Sequence, residues 1–291
     1  MLRLVLPKGS LEKATLDLFS QADLSVSRAS DVDYRGRIDD PRIDEVRILR
    51  PQEIASYVAE GRFDFGITGR DWIEETGANV VSLGELGYSK ATSNPIRIVL
   101  AVANNSPVQS SKDLKPNLRV STEYPALTKR YFDSLGIPAH ISLSYGATEA
   151  KIPDIADAIV EITETGRAIR ASGLRIVDTI LVSYTEVVAN PTSVSDPVKS
   201  HAMNQIMTLL TGTLKARGNV LVKLNVGESD LNSVIATIPF MKAPTISKLF
   251  GDVGYAVEAV VARSQINTLI PALKDAGATD ILEIPLSKIV P

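Results

Sequence analysis

The densest grouping of ligand-ready side chains in this chain runs Thr163-Glu164-Thr165-Gly166-Arg167-Ala168, with Asp157 and Glu161 just ahead of it. An apolar strand ends there, the chain turns at Gly166, and a helix begins. Successive backbone N–H groups in such a turn form a concave anion site, and the helix dipole adds partial positive charge. Thr163 and Thr165 can donate hydroxyls, Arg167 can bind phosphate oxygens, and Glu161 can reach a ribose diol. Acid, hydroxyl, glycine and helix start together suit a ribose 5-phosphate; the alternative is an ordinary strand-to-helix turn with a capping threonine. Lys8, in the turn LPKG, can meet a phosphate as a point charge, or simply sit on the surface. Arg50 and the stretch FDFGITGRD (63–71) offer Gly66 and Gly69 for close backbone approach, with Asp64 and Asp71 for hydroxyls or an adenine amino group. Their alternative reading is a buried strand followed by a helix cap. Gly61 and Gly66 have Walker A spacing, but Ile67 stands where that motif needs lysine. Tyr124-Pro125 marks a strand-to-helix junction, and Glu149 follows a glycine turn in YGATE. His140, His201, Trp72, Met203 and Met207 read as strand surface, helix and packing.

These residues need strands to carry them. LRLVL (2–6), Val46–Leu49 and FDFGITG read as strands, separated by helices over 11–22 and from Pro51 to Gly61. Asp71 is placed to cap a short helix, and another strand starts at Val80-Val81. The pattern predicts an α/β domain with a largely parallel sheet. IRIVLAVA (96–103), LRVST (118–122), His140–Leu143 and DAIVEI (157–162) give a second α/β unit. TILVSYTEVVAN (179–190) is β-rich and returns toward the first, so a cleft between two lobes is expected. Asp196-Pro197 opens a long helix that Gly218 stops. The remainder reads as strand 220–226, helix 230–237, strands 244–250 and 255–262, a helix capped by Ser264, and strand 280–286. That β-α-β-β-α-β order is the ferredoxin-like plan. The expected division is lobe I at 1–94 with 180–213, lobe II at 95–179, and a C-terminal domain at 214–291.

Composition narrows the chemistry. Lys+Arg is 31 against Asp+Glu 34, a net charge of −3 with no basic footprint for nucleic acid. There is no cysteine and there are two histidines, which excludes thiol nucleophiles, disulfides, iron–sulfur clusters and multi-histidine metal sites. Mg²⁺ carried by a phosphate substrate stays compatible. The opening MLRLVLPKGS is too short for a signal-peptide core and no run approaches a membrane span, so a soluble cytoplasmic protein is expected.

LPKGSLE, RPQEIASYVAEGRFDFGITGRDW, STEYPALTKRYF, YGATE and ADAIVEITETGRAIRASGL resemble, in order and spacing, the ATP phosphoribosyltransferase family of histidine biosynthesis. The last 72 residues, with APTISKL (243–249), resemble the regulatory domain of its long form. The resemblance implies a two-lobed, periplasmic-binding-protein-like (type II) α/β core plus an ACT-like domain. It implies transfer from phosphoribosyl pyrophosphate (PRPP) to N1 of ATP with Mg²⁺. It puts the PRPP phosphate on Thr163–Ala168, Glu164 included, with Glu161 facing the ribose. Lys8, Arg50 and Glu149 take catalytic places; Lys8, Gly9, Arg50, Asp71 and Tyr124 line the ATP side. Ala168 stands where many members carry a hydroxyl, a contact Arg167 can supply. Asn225, Met241 and Thr245 are implied to bind inhibitory histidine in a dimer or hexamer. The alternative from a different class is a non-catalytic small-molecule binder or regulatory subunit of the same architecture.

Overall fold

The computed structural model describes residues 1–30, 32–88, 95–241, 243–251 and 253–290. Two compact units are present, Met1–Asp17 with Leu24–Gln205, and Leu18–Asp23 with Ile206–Pro291. No described helix is long and apolar enough to cross a membrane.

The first unit holds two lobes. Lobe I starts with β1 (Leu2–Pro7), α1 (Glu12–Gln21), β2 (Val26–Ser27), β3 (Arg35–Ile38) and β4 (Ile43–Leu49). It continues with α2 (Pro51–Ala59), β5 (Phe65–Gly69), α3 (Arg70–Thr76) and β6 (Val81–Leu86). Lobe II follows as β7 (Ile96–Ala103), β8 (Leu118–Thr122), α4 (Pro125–Ser134) and β9 (Ala139–Leu143). After a 3-10 turn at Thr148–Lys151 come β10 (Ala158–Thr163), α5 (Arg167–Ala171) and β11 (Leu174–Ser183). The chain then returns to lobe I as β12 (Thr185–Ala189), α6 (Pro191–Ser195) and the start of α7 (Pro197–Arg217), whose residues from Ile206 on belong to the second unit.

The lobe I sheet has the order β2-β3-β4-β1-β5-β12-β6. Only β4, β1 and β5 run parallel. β3 pairs antiparallel with β4, and β12 antiparallel with both β5 and β6. The expected largely parallel sheet therefore holds at its centre alone: a short β3–β4 connection makes a hairpin, and β12 enters from the other lobe in the reverse direction. Lobe II has the order β11-β7-β10-β8-β9, with β10, β8 and β9 parallel and β7 antiparallel to both neighbours. β11 stays in that sheet as far as Ser183, so the boundary read at 179/180 falls inside a strand. The one read at 213/214 falls inside α7, and residue 94 of the 94/95 boundary lies outside the described residues.

Asp64, a sequence candidate for substrate hydroxyls, is instead a buried junction at 1% exposure. Its carboxylate accepts from the Arg3 backbone N–H, Ser193 Oγ and Lys199 Nζ, each at 2.7 Å. Burial alone would raise its pKa; the donors outweigh that and hold it below the ordinary range. These bonds tie β1, α6 and α7 to the entry of β5. The short α6, not foreseen in the sequence, is capped by Asn190, whose side chain accepts from the N–H groups of Thr192 and Ser193.

The second unit contains β13 (Asn219–Val226), α8 (Leu231–Thr237), β14 (Thr245–Lys248), β15 (Tyr255–Ala262), α9 (Ile266–Asp275) and β16 (Ala278–Pro285). The order β14-β15-β13-β16, antiparallel throughout, is the ferredoxin-like sheet expected. Val220, Val222, Leu224 and Val226 alternate inward against Val234 of α8 and Leu269 and Leu273 of α9. Ser264 does not cap α9: a 3-10 turn over Arg263–Gln265 intervenes and Gln265 takes the cap position.

Gly66 lets β5 lie against β1. A Cβ there would stand 2.5 Å from Val5 Cγ1 and 2.9 Å from the Val5 carbonyl oxygen. Gly66→Ala should lower unfolding stability by about 1–3 kcal/mol, read as a reduced urea midpoint at unchanged m.

Candidate functional site

Parallel strands deliver the residues that follow them to one edge, where open α/β sheets bind ligands. In lobe I, β4 is followed by Arg50, β1 by Lys8 and Gly9, and β5 by Asp71 in the first turn of α3. Pro7 pairs with Leu49, and the Lys8 N–H donates to the Leu49 carbonyl at 2.7 Å, so Lys8 and Arg50 are neighbours. Lys8 Nζ lies 4.0 Å from the Tyr34 ring centroid. Gly9, at φ +86°, makes the turn and donates its N–H to Glu12 Oε2 at 3.2 Å. The Arg50 side chain is exposed at the start of α2, whose first position is Pro51.

Lobe II repeats the arrangement. β8 leads to Tyr124, β9 to the turn carrying Glu149, and β10 to the loop 163–166. Glu161, near the end of β10, accepts the Ile162 N–H at 2.9 Å. Burial pushes its pKa up, and the Glu149 and Glu123 charges push the same way against hydrogen bonds from Ile162 and Thr148. Among the described residues no three His, Asp or Glu side chains converge as a metal-binding group.

The loop itself is locally determined. Thr163 Oγ1 accepts the Gly166 N–H at 2.8 Å, and Thr165 Oγ1 accepts the Arg167 N–H at 3.4 Å. Gly166 sits at φ +73°, where a Cβ would stand 2.8 Å from Arg170 Nη1 and 3.2 Å from Ile176 Cδ1. Arg170 folds back and donates from Nη2 to the Thr165 carbonyl at 3.0 Å. Its i+4 spacing from Gly166 is the signal sequence reading passed over. Ala168 and Ile169 lie in the first turn of α5, ahead of Arg170, whose N–H bonds back to the Gly166 carbonyl at 3.1 Å. The result is a concave set of donors at the start of α5, beside the exposed Arg167.

The lobes meet at Asp71, which is 2% exposed. Its Oδ2 accepts from Tyr124 OH of lobe II at 2.8 Å, and its Oδ1 from Ser183 Oγ at 2.7 Å. Ser183 also accepts the Asp71 N–H at 3.0 Å. Asp71 is therefore not the N-cap of α3, a place taken by Gly69; its carboxylate is turned to the crossing strand. Burial raises the Asp71 pKa against the Ser183 and Tyr124 donors. Burial, then the Asp71 charge, holds the Tyr124 phenol well above its ordinary value. Trp72 stacks on Tyr124 with ring centroids 4.6 Å apart, so it packs as expected while also reaching the cleft.

A cavity of about 320 Å³ opens beside this junction, lined by Asp71, Trp72, Tyr88, Thr163, Glu164 and Ser183 among others. Of the sequence candidates it gathers Gly69, Asp71, Thr163 and Glu164; Ser10 and Pro51, next to Gly9 and Arg50, also reach it. Lys8, Gly9, Arg50, Tyr124, Glu149, Glu161 and residues 165–168 lie outside its lining. Asp157 stands away from the site, ion-paired to Arg119 at 2.6 Å. Sequence reading missed Ser183 and Tyr88, both at crossings between lobes where no motif marks them.

In the C-terminal sheet, Thr245 pairs with Glu258, and Asn225 with Ala256. Opposed residues share a face, so Asn225 and Thr245 lie on the face away from α8 and α9. Asn225 Nδ2 donates to Asp280 Oδ2 at 2.9 Å. Met241, exposed, donates its N–H to the Val260 carbonyl at 3.0 Å.

Comparison with known proteins agrees along the whole chain. The family model described as ATP phosphoribosyltransferase matches residues 50–212. The model described as HisG, C-terminal domain, matches residues 216–288. The ATP phosphoribosyltransferase of Pelotomaculum thermopropionicum is 46% identical, covering 100% of this chain and 99% of that protein. The Chlorobium phaeovibrioides enzyme of the same name is 44% identical, covering 100% of this chain and 98% of that one. A chain of the ATP phosphoribosyl transferase (HisG:HisZ) complex from Thermotoga maritima superposes with a TM-score of 0.64 at 27% identity, covering 74% of this chain and 99% of that one. With its C-terminal domain matched as well, the chain belongs to the ATP phosphoribosyltransferase family.

Proposed function

We propose that the protein joins the anomeric carbon of PRPP to N1 of ATP and releases pyrophosphate, the opening step of histidine biosynthesis. What supports this reading is the family membership together with one cavity bordered by both lobes: Ser10, Pro51 and Asp71 of lobe I and Thr163 and Glu164 of lobe II line it. The 5-phosphate sits on Thr163–Ala168, held by the N–H groups of Thr165, Ala168 and Ile169 and by Arg167. Ala168 offers its backbone only. Glu161 faces the ribose hydroxyls. Lys8 and Arg50 take the pyrophosphate side, and Gly9, Asp71 and Tyr124 the ATP side. Asp71 acts there through Tyr124 and Ser183, since both its oxygens already have donors.

The chemistry needs no protein nucleophile. The N1 lone pair forms the new C–N bond as the C–O bond to pyrophosphate breaks, so positive charge grows on the ribose and negative charge on the leaving group. The protein positions two anions and stabilises the departing charge through Lys8 and Arg50. Mg²⁺ would come with the pyrophosphate; the neighbouring carboxylates Glu149 and Glu161 fit an ion that takes one or two carboxylates beside phosphates. When bound, it supplies Lewis acidity to the leaving group. In the C-terminal domain, Asn225, Thr245 and Met241 on or beside the helix-free face form the place for inhibitory histidine, in a homo-oligomer.

Pyrophosphate release from ATP, PRPP and Mg²⁺, with and without histidine, tests the reaction and the inhibition together. Gly166→Trp should abolish PRPP binding in a folded protein. Arg167→Glu should weaken it roughly 30- to 150-fold by calorimetry, the loss of a charged hydrogen bond of about 2–3 kcal/mol. Normal turnover in either variant removes the loop from the site.

Glu161 gives a pH test. Its folded pKa is raised, so the fold favours the protonated form and loses stability as pH rises through that pKa. Glu161→Gln should therefore melt higher than the unsubstituted protein at pH 7–8, with the gain shrinking toward pH 4, while PRPP affinity falls. Equal melting curves at all pH values would contradict this.

Thr245→Trp should relieve histidine inhibition and leave uninhibited turnover within about twofold, since Thr245 belongs to a separate compact unit from the strands that carry the candidate site. Unchanged inhibition would place the effector elsewhere.

A further inference from the structure

Helix α4 has no cap of its own. Its N-cap residue, Tyr124, makes no side-chain capping bond, and Pro125 fills the first helical position. The next two N–H groups, of Ala126 and Leu127, donate to Glu75 Oε1 at 3.0 Å and Oε2 at 2.8 Å. Glu75 belongs to α3 of the opposite lobe, 51 and 52 residues away. One carboxylate spanning two adjacent N–H groups at the positive end of a helix fixes direction as well as distance. Two further contacts accompany it: Arg130 of α4 donates to the Glu74 carbonyl, and the Trp72 and Tyr124 rings stack. The same two helices carry Asp71 and, at the head of α4, Tyr124.

We propose that Glu75 is a positioning residue that sets the angle between the lobes by capping the helix of one from the helix of the other. Turning the lobes apart leaves the Ala126 and Leu127 N–H groups and the Glu75 carboxylate unpaired together, and withdraws Tyr124 from Asp71. The cleft is thereby held formed before substrate arrives. The KM readout rests on the transferase reading above; the latch itself does not.

The test uses the full chain. Because it contains no cysteine, spin labels placed through Glu60→Cys in lobe I and Ser134→Cys in lobe II report the interlobe distance without further substitution. Glu75→Ala should broaden and lengthen that distance distribution. It should raise KM for ATP and PRPP together by about five- to tenfold with kcat within about twofold, as expected when the competent closed fraction falls to roughly 10–20%. Glu75→Gln, whose amide oxygen can still accept one N–H, should fall between, and it carries the test if the alanine variant melts early. Unchanged distances in both variants overturn the proposal, as does a loss confined to kcat. If the unsubstituted protein transfers nothing, the transferase reading fails, and the distance distributions alone decide the latch.

Discussion

Asp71 carries the constraint on which the cleft depends. A carboxylate removed from water stays in a fold when donors meet it, and here the donors come from different places. One is the phenol of lobe II and the other the hydroxyl at the end of β11. Neither donor is near Asp71 in sequence. The bonds form once both crossings between lobes are in place, so satisfying one buried charge and assembling the site are the same event. The Tyr124 ring, 1% exposed, is fixed by that bond and by Trp72 beneath it.

Around this junction the two lobes divide the electrostatic work. The parallel strands of lobe I are followed by Lys8 and Arg50, two cations on long side chains. The parallel strands of lobe II end in backbone N–H groups, held by the Thr163–Gly166 and Thr165–Arg167 bonds. On the reading proposed above, the fixed dipoles meet the end of the substrate that stays and the cations the end that leaves. Glu161, near the end of β10, is a half-buried acid whose pKa is raised chiefly by burial and further by the Glu149 and Glu123 charges.

How much of this was legible depended on whether the cause was local. The loop 163–168 was readable because its glycine, threonines and helix start act within six residues. The ferredoxin-like sheet was readable because Val220, Val222, Leu224 and Val226 alternate with period two. The two readings of Asp64, ligand or buried strand, could not be separated in sequence because its partners Lys199 and Ser193 lie 135 and 129 residues on, and an aspartate beside a glycine strand looks the same whether it meets a ligand or a buried lysine. The direction of β12 was hidden for the same reason: a buried apolar strand has no period that tells parallel from antiparallel. Glu75 gave no signal at all, since its partners are backbone N–H groups that any residue at Ala126 or Leu127 would supply. Family resemblance implied the substrates and the effector; residue chemistry alone reached as far as a ribose 5-phosphate.

The position of β12 has a consequence for the order in which the molecule can be made. It lies inside the lobe I sheet, hydrogen-bonded to β5 on one side and β6 on the other. The strands of lobe II, β7 to β11, are by contrast one unbroken stretch of chain. A ribosome therefore finishes every strand of lobe II before it has made Thr185–Ala189, and until then the lobe I sheet is split, with β5 and β6 each exposing an edge. The lobe that begins the chain is the one that closes second, and the intervening state is where a chaperone would find an open sheet to hold.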